Sequence, residues 1–147
     1  MTFRDATEAD LPAIVRLLAD DHHGAGRERN ETPLPDSYRR GFHAMQAQSG
    51  RIILAIVDGT VIGCLQLNII HGVSQQGQSY AQVEGVRIDS HHRGTGIGAA
   101  LMQHAMAESA GCAIMQLTTR TDRDAAQRFY ARLGFTHTHT GMKRPLP

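Results

Sequence analysis

The segment from Val83 to Ala99 constrains the chain most. A strand-like run, Val83 to Ile88, passes through a short polar loop and into a helix start carrying glycines at 94, 96 and 98. Glycine lets main-chain N–H groups approach a ligand without Cβ obstruction, and the following helix N-terminus adds orphan donors and the positive end of a dipole. A phosphate or pyrophosphate suits that geometry, and Arg93 adds a charge-assisted bond. A tight turn that uses glycine for packing alone does not require three alternating glycines after an arginine. The P-loop pattern fails because no lysine follows. The dinucleotide pattern G-x-G-x-x-[GA] is met by Gly94, Gly96 and Ala99. Its usual context is the first βαβ unit, with an acidic residue about 20 positions on. Here the next strand ends Thr118-Thr119-Arg120, which leaves an NADP reading open through the arginine, although 82 residues precede Val83.

Around this segment the sequence predicts a strand at Phe3 to Ala6 and a helix over Thr7 to Ala19, with Thr7 and Asp10 forming a capping box and Leu11, Ile14, Val15 and Leu18 a buried stripe. A long loop, Asp20 to Asp36, precedes a helix at Asp36 to Gln48. Arg51 to Val57 and Thr60 to Ile70 read as antiparallel strands joined by Asp58-Gly59, a pair suited to a turn with two positive φ angles. His71 to Gln78 is turn-like, and Ser79 to Ile88 is a third strand with a bulge at Gly85. Helices follow at Gly96 to Ala110 and Thr121 to Leu133, the latter ended by Gly134, with a continuous buried strand, Ala113 to Thr119, between them. The tail, Phe135 to Leu146, is expected to add one or two strands. This order implies an α+β fold, an α/β sandwich with a mixed, partly antiparallel central sheet flanked by helices.

At 147 residues and 41% hydrophobic content, one domain over residues 1–147 with one core is expected. A net charge of +1 argues against nucleic-acid and polybasic membrane partners. The longest apolar run is the six residues Ile52 to Val57, far short of the roughly 18 that span a bilayer. The N-terminus has no secretory pattern and the two cysteines sit in unrelated contexts, so a cytoplasmic protein with free thiols is expected. Charge is unevenly placed. Residues 1–36 hold eight acids and four bases, and residues 120–147 hold two acids and six bases.

A third phosphate pattern, Q/R-x-x-G-x-G/A, is satisfied by Arg93, Gly96 and Gly98, and here the chain resembles the GCN5-related N-acetyltransferase (GNAT) superfamily, in particular its bacterial small-molecule members. The strand Val86-Arg87-Ile88, the helix after the loop, the run AQRFYARLGF and the opening TEADLPAIVRLL fall in that family's order. The resemblance implies a GNAT-like sheet and acetyl-CoA as co-substrate. Its pyrophosphate would lie on the amides of Arg93, Gly94, Thr95, Gly96, Ile97, Gly98 and Ala99, and its pantetheine arm would pair with the strand Val86, Arg87 and Ile88. The Val86 amide would face the acetyl carbonyl. Glu84 is implied as general base and Tyr130 as general acid. Arg123 stands where many relatives carry a coenzyme A-binding asparagine.

The expected reaction is transfer of an acetyl group to a primary amine of a small molecule by direct attack. The alternative is a non-catalytic acyl-CoA sensor or partner-binding domain. A homodimer is compatible with the family. Nine histidines invite a metal reading, but adjacent pairs diverge on a strand and His137 and His139 lack an evident third ligand, so no metal is expected. His22, His23 and His139 remain alternative bases. By the resemblance, the anionic cofactor would lie toward Arg120, Arg123 and Arg128, and the acidic segment with Asp20, Asp21 and Glu31 would flank the acceptor side and suit a cationic amine; solvated helix faces are the alternative.

Overall fold

The computed structural model describes residues 1–147. Five strands form one sheet in the order β1 (Thr2–Asp5), β2 (Arg51–Val57), β3 (Thr60–Ile70), β4 (Tyr80–Ile88) and β5 (Ile114–Leu117). The first four are antiparallel neighbours, and β5 lies parallel to β4 because a helix crosses over between them. Helices α1 (Leu11–Ala19) and α2 (Asp36–Ala47) precede β2. A four-residue turn, α3 (Ser74–Gly77), separates β3 from β4, and α4 (Ile97–Ala107) and α5 (Asp124–Arg132) flank β5.

Consecutive strand side chains point to opposite faces, so the unbroken apolar run of β2 requires cover on both. Ile53 and Ala55 join Leu65, Leu67, Val83, Leu101, Met102 and Ala105 on one side, under α4 and α5. Leu54 joins Leu11, Ile14, Leu17, Phe42 and Cys64 on the other, under α1 and α2. In α1, Leu17 rather than Leu18 completes the buried stripe. Leu18 instead turns toward the Gly85 backbone. The Asp10 carboxylate accepts from the Thr7 N–H at 2.8 Å and the Thr7 hydroxyl at 2.9 Å, and Arg4 forks onto it, so the expected helix start holds after one 3-10 turn at Glu8–Asp10.

The hairpin turns through Asp58 (φ 48°) and Gly59 (φ 76°). Opposite Leu65, the two residues Gly85 and Val86 occupy one step of the ladder, with Gly85 at φ 60°, which is the expected bulge. Two expectations fail. The segment read as a continuous buried strand is a four-residue edge strand whose residues alternate between exposed and half-buried, and the tail after Phe135 forms no strand. Strand-like composition supplies propensity, but a strand also needs a partner in register, and no segment pairs with the outer edge of β5. The last helix begins only at Asp124, after a turn over Arg120 to Arg123 closed by the bond from the Arg123 N–H to the Arg120 carbonyl at 3.1 Å.

Candidate active site

Strands β4 and β5 pair only between Tyr80–Val83 and Ile114–Leu117. Beyond Val83 they part, and the edge of β4 from Glu84 to Ile88 faces no strand on that side. A cleft of about 1230 Å³ opens in this gap. Of the residues singled out from sequence, it brings together Glu84, Val86, Arg87, Ile88, Arg93, Gly94, Gly96, Gly98, Ala99, Arg123 and Tyr130. Thr95 and Ile97 are not among its walls. The Thr95 hydroxyl donates to the His92 carbonyl at 2.6 Å, and Ile97 packs against the core.

The loop between β4 and α4 fits an anion. Gly96 sits at φ 90° as the residue before α4, and the space where a Cβ would stand is open. The bond from the Ala100 N–H to the Gly96 carbonyl, at 3.0 Å, closes the first turn, so the amides before Ala100 have no helical acceptor and are free for a ligand. At Gly98 a Cβ would lie 3.4 Å from Phe129 and 3.5 Å from Ile88, ordinary van der Waals contact, so α4 packs on both side chains there without needing glycine for space.

Arg93 holds the loop rather than reaching out of it. Its Nε donates to the Ile88 carbonyl at 3.0 Å, and its Nη2 meets the carbonyl and carboxylate of Asp20. Arg87 donates from Nη1 to the Val86 carbonyl at 2.9 Å. The carbonyls of Val86 and Ile88 therefore each carry one bond already, with a second lone pair left for an extended ligand.

Glu84 stands exposed just before the bulge and accepts from Gln82 at 2.9 Å. Tyr130 is partly buried against Phe129 and Phe135. Burial pushes its phenol above the usual tyrosine value; the charges of Arg87 and Arg123 oppose that rise and Glu84 adds to it. Glu84, Arg87, Arg123 and Tyr130 line the same cleft.

Sequence reasoning set Asp21 toward a cationic amine and missed its role, which is to hold two arginines of the cleft wall from behind. Its carboxylate accepts from Arg123 Nη2 at 2.8 Å and from the Gly24 N–H at 2.6 Å, and Arg87 Nε lies 3.2 Å away. That last approach is close enough for charge pairing but not aligned for a hydrogen bond, so Arg87 Nε is the one buried side-chain polar atom without an acceptor. Burial opposes ionisation of Asp21, but the bonds from Arg123 and Gly24 and the two guanidinium charges outweigh it and bring the carboxyl down to about 2. His23, named above as an alternative base, also lines the cleft, as do Lys143, which belongs to the Gly141-Met142-Lys143 ending that the chain shares with small-molecule members of the family, and Leu18 and Arg27, for which no site role was expected.

The acidic segment does not present a free anionic face. Asp20 is held by Arg93 and by the Ser90 N–H, Asp21 by Arg123 and Arg87, and Glu31 by Arg29. No three His, Cys, Asp or Glu side chains gather in a way that could hold a metal ion. No helix is long and apolar enough to cross a membrane.

Comparison with solved structures gives a protein from Bacillus halodurans C-125 described as a transcriptional regulator, 42% identical over 99% of each chain with a TM-score of 0.92. A GCN5-related N-acetyltransferase from Ralstonia eutropha JMP134 is 26% identical over 99% of this chain and 97% of that one, with a TM-score of 0.73. An acetyltransferase from Trypanosoma brucei, 23% identical over 99% of each chain, shares the fold with a TM-score of 0.79. No match is found among curated proteins. The family model described as Acetyltransferase (GNAT) family matches residues 11–135. With that match spanning most of its length, and with an open strand edge meeting a glycine-rich anion loop, the chain belongs to the GNAT family of acetyltransferases, which use acetyl-CoA as acyl donor.

Proposed function

We propose that this chain is a single-domain N-acetyltransferase, over residues 1–147, that moves an acetyl group from acetyl-CoA to a primary amine of a small molecule by direct attack in a ternary complex. The observation that carries this reading is the convergence of the open β4 edge, the Gly94–Ala99 loop, Glu84 and Tyr130 on one cleft. In the reading, loop amides take the pyrophosphate, and main-chain groups of Val86 and Ile88 pair with the pantetheine arm as an added strand. The Val86 N–H donates toward the carbonyl oxygen where charge develops. Glu84 removes a proton from the incoming ammonium, directly or through water, and Tyr130 gives its phenolic proton to the departing thiolate. Arg123, which lines the cleft and pairs with Asp21, is the residue at the position where relatives contact coenzyme A. Cys64 and Cys112 are both free thiols, as a cytoplasmic location permits.

The B. halodurans relative's description as a transcriptional regulator favours a second reading, a non-catalytic acyl-CoA sensor or partner-binding domain. Incubation with acetyl-CoA and pooled amines, followed by mass spectrometry, separates the two. An acetylated amine formed at a rate above the no-enzyme control supports transfer, whereas acetyl-CoA binding without any acetylated product supports the sensor.

A further inference from the structure

The charge lining the cleft points to the class of acceptor. Glu84 is the only acidic residue among its walls. Five arginines there already have carboxylate partners. Arg27 pairs with Glu28 at 2.9 Å and Arg120 with Asp122 at 2.8 Å. Arg93 pairs with Asp20 at 3.3 Å, and Arg87 and Arg123 share Asp21 at 3.2 and 2.8 Å. Two cleft cations, Arg132 and Lys143, pair with no carboxylate. Arg132 sits in the last turn of α5, where a cation is favoured by the helix dipole. Lys143 has no such local role. It belongs to the tail that follows α5 and forms no strand, and it reaches the cleft from there.

A polyamine or aminoglycoside would bring several ammonium groups into a cleft whose unpaired charges are two cations, Arg132 and Lys143, and one carboxylate, Glu84. Like charges in a confined cleft repel and lower both affinity and encounter rate. An acceptor with one amine and one anionic group meets no such conflict, because its amine faces Glu84 and its anion faces a free ammonium.

Building on the acetyltransferase reading, we propose that the acceptor is an amine that carries its own carboxylate or phosphate, and that Lys143 takes that anionic group. The test has two stages. Acetyl-CoA binding is first measured by calorimetry on the full chain, since failure there removes the acetyltransferase reading itself. Turnover is then compared within matched pairs, β-alanine against β-alaninamide and phosphoethanolamine against ethanolamine, with spermidine as the polycation and rates corrected for the fraction of neutral amine. The expected result is kcat/KM about tenfold higher for the anionic member of each pair, the scale of one hydrogen bond to a charged group. Spermidine should be slowest. Lys143→Gln should raise KM for the anionic members by about the same factor with the acetyl-CoA KM unchanged, and Lys143→Arg should restore most of the loss. A preference for the neutral or polycationic amines overturns the proposal. So does a Lys143→Gln effect confined to the acetyl-CoA KM, which would place the ammonium on the cofactor. Acetyl-CoA binding with no transfer to any anionic amine also overturns it while leaving cofactor binding intact.

Discussion

Tyr130 contacts Phe129 and Phe135 edge-on, with ring centroids 5.1 and 5.9 Å apart, so neighbouring rings fix its plane. Its phenol, raised by burial, keeps its proton at neutral pH and can supply it to a thiolate. Tyr130→Phe preserves the ring packing and removes only the proton. Turnover should fall about 10²-fold with the acetyl-CoA KM unchanged, the signature of an interaction made in the transition state. Steady-state kinetics at neutral pH decides this, and unchanged kcat would leave Tyr130 as a packing residue. Glu84 is separable from it by pH. Glu84→Gln keeps an acceptor for Gln82 but cannot hold a proton. Its kcat/KM should fall by about 10²-fold near pH 7 and recover as the solution itself deprotonates the amine. A pH profile parallel to that of the unaltered chain would assign the base to another group, with His23 the candidate already in the cleft.

At the scale of elements, the loop before α4 allows a test in which charge and backbone strain separate. Any side chain at Gly96 must adopt φ 90°, at a cost of about 1–3 kcal/mol. Gly96→Ala carries that cost alone, because the space beyond is open. Gly96→Glu adds a carboxylate where the orphan amides favour an anion. Calorimetry should show weakened acetyl-CoA binding for the alanine variant and none for the glutamate variant, while both unfold at similar temperatures. Equal binding by the two would remove the anion site from this loop. The same loop, the Asp58-Gly59 turn and the Gly85 bulge were legible in the sequence because each depends on a local backbone conformation that restricts residue type. Glu84, Arg93 and Tyr130 could likewise be marked by motif. The bonds of Arg93 could not, because its partners Asp20 and Ile88 lie 73 and five residues away and only folding selects among the available acceptors. The partners of Asp21 were hidden for the same reason, Arg123 being 102 residues away. The tail's alternation of threonine and histidine has strand periodicity, yet β-pairing is decided by a partner edge and not by the segment itself.

Across the whole molecule, the unequal charge of the two ends becomes a set of internal ties. Carboxylates of the N-terminal third bind arginines of the centre and C-terminal region through Asp20 to Arg93 and Asp21 to Arg87 and Arg123, and Arg16 returns the pairing to Asp89 at 2.8 Å. These ties fasten α1 and the loop after it to β4 and α5, so they fix one wall of the cleft. Their pH dependence follows from the carboxylates. Asp89 is brought to about 2, chiefly by its bond from Arg16, with burial opposing, and Asp21 is also near 2 despite burial. Both lie below the ordinary value of 3.8, so the folded chain binds these protons less readily than the unfolded one. The stability they contribute is complete above about pH 5 and is lost as pH falls through the folded values near 2. Urea midpoints should therefore decline between pH 5 and pH 2. Asp21→Asn should lower the midpoint at pH 6, corresponding to a loss of about 2 kcal/mol of unfolding free energy for a lost bond to a charged group beside the half-satisfied Arg87, and should flatten the acid decline. If Asp21→Asn instead follows the unaltered chain from pH 5 to pH 2 with a constant offset, the acid sensitivity resides in other carboxylates and the cleft wall is held by packing alone.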